Sequence, residues 1–236
     1  EVEEEIPDYP CTFFFTKEGY FKKITPQSLR MSSVHKLKEG DEIVQTVEGN
    51  NRCELLFFTD KATVYKAKAS DFGDTKASVL GDYVAGKLGF DEGESAVFMV
   101  VTTDYSGYML FFFENGKAAK VELAAYATKT NRRKLVGAYS DKSPLVAAYR
   151  ILEDVEFMLT ATSGRMLLVH TGAVSAKSTR STIGVQVMTL KGKHTLAKVL
   201  PFTEDMAVKP NRYRTKTLPA AGALPAAEDL GEQLTL

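Results

Sequence analysis

The sequence predicts an all-β fold, a closed propeller-like ring of four-stranded blades, about four to five in number. Three observations predict it. First, an apolar run, a tight polar step and a second apolar run recur as CTFFFTKEGYFKKI (11–24), LLFFTDKATVYKAK (55–68), MLFFFENGKAAKVEL (109–123) and FMLTATSGRMLLVH (157–170). Second, another apolar element recurs in phase as DEIVQTV (41–47), SAVFMVVTT (95–103), PLVAAYRI (144–151) and TLAKVLPF (195–202). Third, steps of 43, 54 and 48 residues separate the turn positions Gly19, Ala62, Gly116 and Gly164, which is the period of a propeller blade.

Each of the first runs reads as a β-hairpin. KEG, ENG and TSG place glycine where a short reversal needs a positive φ, and Ala62 stands there in the second copy. Phe13, Phe14, Phe15, Phe57, Phe58, Phe111, Phe112 and Phe113 lie in consecutive apolar runs, the pattern of strands buried on both faces, so they are expected in the core. Between each hairpin and its second element lie roughly 20 to 30 residues rich in Lys, Arg, Ser, Thr and Gly. These stretches are too polar for core and recur too regularly for chance insertions, so they are expected to form a surface that touches something. TLAKVLPF has no hairpin after it and is expected to close the ring beside CTFFFT. Helix signals are few. DYVAGKLGF (82–90) suits one or two turns, with Gly86 and Gly89 each costing about 1 kcal/mol there. The last residues, interrupted by Pro219 and Pro225, read as extended or unstructured, with a short helix over 226–233. The expected organisation is an acidic lead-in at 1–10, a β domain at 11–205 and a low-complexity tail at 206–236.

Net charge conceals an asymmetry. Lys and Arg number 30, as do Asp and Glu, but residues 1–8 hold five acids and no base, and residues 218–236 hold three acids and no base. With those eight set aside, 22 acids face 30 bases, and the body of the chain carries about +8. A basic body with acidic ends is the expected form.

Several function classes lack their residues. Cys11 and Cys53 have no CxxC spacing and read as small buried strand residues. His35, His170 and His194 lie far apart without ligand spacing, so no metal site is expected. There is no GxSxG elbow, no GxxxxGK[ST] loop, no GxGxxG fingerprint and no Trp for a base-stacking platform. No stretch approaches the roughly 20 apolar residues of a membrane span, and EVEEEIPDYP is acidic where a signal peptide is basic. The expectation is a cytoplasmic chain without membrane partners. Its start without Met reads as a piece of a longer protein.

EEEIPDYPCTFFFTKEGYFKKI, with the repeated apolar run, turn glycine and basic strand, resembles the start of the C-terminal β-pinwheel domain of the A subunit of bacterial type IIA topoisomerases, DNA gyrase and topoisomerase IV. The resemblance covers roughly residues 3–202 and is most specific in the first hairpin. It implies a β-pinwheel whose basic rim binds double-stranded DNA, wrapping or bending it beside the catalytic core. It implies no catalytic residue and no cofactor in this domain, with ATP and Mg used by the parent enzyme. The implied partners are the ATPase B subunit and the rest of the A subunit, in a nucleoid-associated bacterial enzyme. None of the ten tyrosines takes the strand-cleaving role. Gyrase-type members carry a Gln-Arg-Arg-Gly-Gly-X-Gly box in the first blade; the corresponding SLRMSSVHKLKEGDEI has none, and TNRRKLVG (130–137) keeps only Arg132, Arg133 and Gly137. The resemblance therefore implies a topoisomerase IV-like subunit, or a gyrase-like paralogue without the box.

Cations that neutralise phosphates release counterions, which gives affinity without reading sequence, and a repeat fold supplies such positions blade by blade. The candidate DNA contacts are Lys22, Lys23, Arg30, Lys36 and Lys38 in the first repeat and Lys66, Lys68 and Lys76 in the second. Lys129, Arg132, Arg133 and Lys134 follow in the third, and Lys177, Arg180, Lys191 and Lys193 in the fourth. The alternative is that these charges solvate the surface and protect strand edges, which would leave a protein-interaction platform. A hydrolase in a central channel is a third reading, without a visible cluster of nucleophile, His and acid.

Overall fold

The computed structural model describes residues 5–130 and 132–230. In chain order its strands are β1 (Pro10–Thr16), β2 (Tyr20–Ile24), β3 (Ile43–Asn50), β4 (Glu54–Thr59), β5 (Thr63–Lys68), β6 (Asp74–Thr75), β7 (Asp82–Tyr83), β8 (Ala96–Thr102) and β9 (Tyr108–Phe113). They continue as β10 (Lys117–Glu122), β11 (Lys134–Val136), β12 (Leu145–Ile151), β13 (Glu156–Ala161), β14 (Met166–His170), β15 (Ala176–Lys177), β16 (Val185–Gln186) and β17 (Leu196–Pro201). The short α-helices are α1 (Pro26–Met31), α2 (Val84–Lys87) and α3 (Ala227–Leu230). The expected all-β class is the observed one.

Two compact units divide the chain. The first holds residues up to Tyr105 together with Thr128–Ala138, and the second holds Ser106–Ala127 together with residues from Tyr139 onward. In the first unit one sheet has the order β3-β1-β2-β6, with β7 also on β2, and another the order β11-β5-β4-β8. In the second unit one sheet runs β12-β9-β10-β15, with β16 also on β10, and a three-stranded sheet runs β14-β13-β17.

The hairpins form where the turn chemistry places them. Gly19, Gly116 and Gly164 have φ of 90°, 82° and 87°, and Ala62 is forced to 52° in the same role. The phenylalanine runs occupy central strands, where both faces are covered. Phe21 meets Phe57 edge-on at 5.7 Å and Phe72 at 4.5 Å in the first unit, while Phe112 and Phe157 lie 5.3 Å apart in the second.

The polar stretch after each of the last three hairpins does not stay with that hairpin. β6 and β7, which follow the β4–β5 hairpin, pair with β2. β11 follows β9–β10 and pairs with β5, and β15 and β16 follow β13–β14 and pair with β10. Each stretch thus covers an edge strand of the sheet before it, which removes an exposed row of backbone donors and acceptors.

One expectation is corrected and another is narrowed. TLAKVLPF does not pair beside CTFFFT: β17 lies on β13, from Phe157↔Pro201 to Ala161↔Leu196. The reason is occupancy, since β1 already has β2 on one side and β3 on the other. Of the two forms expected for the tail, its described residues take the extended one. Tyr213, 1% exposed, packs with Met158, Leu168 and Ala207. The Leu168 amide donates to the Tyr213 carbonyl at 2.8 Å, and Met166 and Ala223 exchange backbone hydrogen bonds of 2.8 and 2.9 Å. Arg214 grips both carboxylate oxygens of Glu156 at 2.8 and 2.9 Å. The tail therefore covers β14, the edge for which no further hairpin supplies a strand. The helix expected at 226–233 appears as α3, with residues 231–233 outside the described residues. DYVAGKLGF contributes the single turn α2, and α1 was not anticipated although Thr25 and Pro26 announce it. The Thr25 hydroxyl accepts from the Ser28 amide at 3.3 Å, and Pro26 opens the first turn.

Candidate nucleic-acid interface

The cations predicted from the third repeat fold onto those of the second. β11 pairs antiparallel with β5, Lys134 opposite Tyr65 and Val136 opposite Thr63, and the Lys66 amide extends the pairing to the Arg133 carbonyl at 2.7 Å. This register brings Lys129, Arg132 and Arg133 beside Lys66 and Lys68, around a surface groove of about 400 Å³ that Glu54, Asp71, Thr128 and Thr130 complete. Five cations there face two carboxylates. Asp71 is partly occupied, because one of its oxygens accepts the Lys68 amide at 2.9 Å.

Individual positions in the groove differ. Lys129, Arg132, Arg133 and Lys68 are exposed. Lys66 is half-buried; its ammonium donates to the Thr128 hydroxyl at 3.1 Å and lies 5.2 Å from the Tyr105 ring centre. Lys134 stands beside the groove, exposed but bound to the Asp91 carboxylate at 3.1 Å and over the Tyr65 ring at 5.5 Å. Its neighbours favour the charged form, Asp91 first and Tyr65 second, so its pKa lies above the ordinary lysine value.

Lys22 and Lys23 are corrected. They are 1% and 2% exposed, and their ammonium groups are consumed inside the protein. Lys22 reaches His35 Nδ1 at 3.1 Å and the carbonyls of Lys36 and Ala77 at 2.9 Å each. Lys23 reaches Asn51 Oδ1 at 2.6 Å, the Ala69 carbonyl at 3.1 Å and Asp74 at 3.4 Å. The physical reason is the covering of β2: β6 and β7 take its free edge, the segments of Lys36 and Ala77 close over Lys22 and those of Asn51 and Ala69 over Lys23, and a charged side chain so enclosed must find internal acceptors. Burial pushes the Lys22 pKa below the ordinary lysine value.

The remaining candidates are dispersed. Arg30 lies exposed in the last turn of α1, with Lys36 and Lys38 exposed on the segment that follows. Lys76 is exposed just after β6, and Lys177 on β15. Arg180 is half-buried and donates to the Ala125 carbonyl at 2.9 Å. Lys191 and Lys193 are exposed ahead of β17. Sequence reading missed the two groove carboxylates, Glu54 and Asp71. They belong to ordinary strand and turn positions and carry no signal until β11 is laid on β5.

Among the described residues no group of three or more His, Cys, Asp or Glu is placed to hold a metal ion, and no helix is long and apolar enough to cross a membrane.

Comparison with known proteins gives one consistent answer. The family model for the DNA gyrase C-terminal domain, β-propeller, matches residues 54–78 and 156–203. The A subunit of DNA topoisomerase 4 from Staphylococcus aureus is 22% identical over 198 residues, which are 82% of this chain and 25% of that protein. The chain thus spans about a quarter of the length of the curated relatives it matches. A crystal structure of the C-terminal domain of DNA topoisomerase IV superposes with a TM-score of 0.73 at 25% identity, covering 86% of this chain and 64% of that one. The E. coli ParC C-terminal domain gives 0.67 at 14% identity, covering 92% and 94%. These similarities coincide with the hairpin repeat described above: the chain is similar in sequence and in fold to the β-propeller C-terminal domains of DNA gyrase and topoisomerase IV A subunits.

Proposed function

We propose that this chain binds double-stranded DNA without sequence preference and bends it, as the accessory domain of a type IIA topoisomerase A subunit. The ATPase B subunit and the rest of the A subunit carry the ATP-dependent strand passage, in the bacterial cytoplasm. This domain supplies no catalytic group; its role is to hold the duplex where the core can use it. The absence of the Gln-Arg-Arg-Gly-Gly-X-Gly box in residues 28–43 favours bending over full wrapping.

The observation that carries the reading is the groove in which Lys66, Lys68, Lys129, Arg132 and Arg133 gather from two separate stretches of chain. A surface that only needs solvation gains nothing by concentrating like charge, which costs self-repulsion. A phosphate backbone offsets that repulsion and releases counterions. Each phosphate neutralised contributes about 0.9 to the slope of log affinity against log salt, so five contacts give a slope near −4 to −5.

Titrating a duplex of about 40 base pairs over a range of salt tests this. Micromolar or tighter affinity at low salt, with a slope of several units, is the expected result. No binding at low salt would reject the reading and leave a protein-interaction platform.

A further inference from the structure

Met31 and Val34, at 84% and 78% exposure, are the two most exposed large apolar side chains among the described residues. They stand three residues apart, Met31 closing α1 and Val34 in the segment that joins α1 to β3. A single exposed apolar residue is ordinary. What sets these apart is how firmly their backbone is held.

Lys22 makes the hold. Its ammonium is matched by three acceptors, His35 Nδ1 at 3.1 Å and the carbonyls of Lys36 and Ala77 at 2.9 Å each. The Lys36 amide donates to the Ala77 carbonyl at 2.9 Å, and the His35 ring packs 4.5 Å from that of Phe14. At the other end Thr25 caps α1. Burying an ammonium is costly even when it is fully hydrogen-bonded. Here that cost fixes a segment whose two apolar side chains bury almost nothing on their own chain.

The surroundings specify what they meet. From residue 30 to residue 38 the sequence holds Arg30, Lys36 and Lys38 and no carboxylate, and all three cations are exposed. Two apolar side chains among Ser32 and Ser33 are too little for a protein interface of roughly 1,200 Å² or more. A DNA wedge needs no more than one or two: apolar side chains enter between base pairs, unstack them and kink the duplex while nearby cations hold the phosphates. We propose that Met31 and Val34 insert at a flexible base step of duplex DNA held by Arg30, Lys36 and Lys38, so that the bend is localised as a kink. This rests on the duplex-binding reading above and adds the means by which the bend is made.

The test uses a duplex with 2-aminopurine at its TA steps, which kink most easily, and a donor–acceptor pair at its ends. The chain is compared with its M31S/V34S variant, whose substitutions lie on the surface and whose thermal melting is checked to coincide. The expected result is a rise in 2-aminopurine fluorescence and end-to-end transfer with the unaltered chain, largely lost in the variant, while the salt slope is unchanged. Binding with no fluorescence rise, or with the same rise in the variant, overturns the wedge and leaves phosphate binding standing. Failure of the unaltered chain to bind overturns both, and so separates the two readings.

Discussion

The Lys120 ammonium lies 2.7 Å from a carboxylate oxygen of Asp154 and 3.2 Å from the Thr171 carbonyl. Lys120 stands four residues after the turn glycine Gly116, as Lys23 stands four after Gly19. Lys23 makes the matching contacts in the first unit, to Asn51, Asp74 and the Ala69 carbonyl. Ala69 and Thr171 each open a short 3₁₀ turn behind the next hairpin. Each lysine also lies over a tyrosine, Lys23 5.7 Å from the Tyr9 ring and Lys120 4.9 Å from that of Tyr108. The same strand position therefore ties one sheet to the next within each unit. In the last hairpin it holds Leu168, which packs under the tail instead.

Removing the carboxylate partner is expected to destabilise the second unit in a pH-dependent way. Lys120 first and the Thr171 hydroxyl second hold the Asp154 pKa below its ordinary value. A depressed carboxyl stabilises the fold above its unfolded value, about 3.9, and loses that contribution as pH falls through the lowered one. D154N should cost about 1–2 kcal/mol at pH 7, less than for a fully buried pair because water screens the exposed side of Asp154. Urea midpoints from pH 7 down to 3 should show the difference closing below about pH 4. A gap that persists to the lowest pH would mean the ion pair is not its source.

Acid should also loosen the first unit through His35. Burial first and Lys22 second hold its pKa below the ordinary value, so the folded chain resists a proton that the unfolded chain accepts. The sign is a loss of stability as pH falls from about 6.5 toward the lowered value. Stability measured at pH 8 and pH 5.5 should drop for the natural sequence and drop less for H35Q. Equal drops would remove His35 as the cause.

Charge removal should separate groove cations from buried ones. R132A/R133A is expected to weaken duplex binding and to reduce the salt slope by about 2, at 0.9 per phosphate. K22M and K23M are expected to leave the slope unchanged and to lower thermal stability, since both ammonium groups act inside the protein. A slope reduced by K23M but not by R132A/R133A would reverse the assignment.

The turn positions predict opposite responses to one methyl group. Gly116 has a φ of 82°, and a Cβ there would lie 2.4 Å from the Met188 carbonyl oxygen, so G116A should lose on the order of 3 kcal/mol. Ala62 already endures a φ of 52°, and A62G should gain roughly 0.5–1 kcal/mol as that strain goes. Thermal melts of the two variants check both signs.

Tyr213 predicts that the tail is part of the fold. Y213A should cost about 3 kcal/mol or more, as for other large-to-small changes in a core, and should speed hydrogen exchange at Leu168, whose amide bonds the Tyr213 carbonyl. A variant with unchanged stability and exchange would return the tail to a loose appendage.

By itself the sequence determined the repeat. Apolar runs of two phases, glycine at three turns and polar stretches between them specify hairpins and their spacing, because a turn and a buried strand are local requirements that neighbouring residues alone can meet. It determined a basic body for the same reason, since charge can be counted without a fold. Which edge each polar stretch covers was decided only in three dimensions, because strand pairing joins residues tens of positions apart. That one decision placed Lys22 and Lys23 inside and drew Arg132 and Arg133 to Lys66 and Lys68. It also put β17 on β13, where an edge was open, and made the tail the cover of β14. A lysine in a strand looks the same in sequence whether it faces water or three acceptors; the strand laid over it makes the difference, since a covered ammonium must be hydrogen-bonded within the protein.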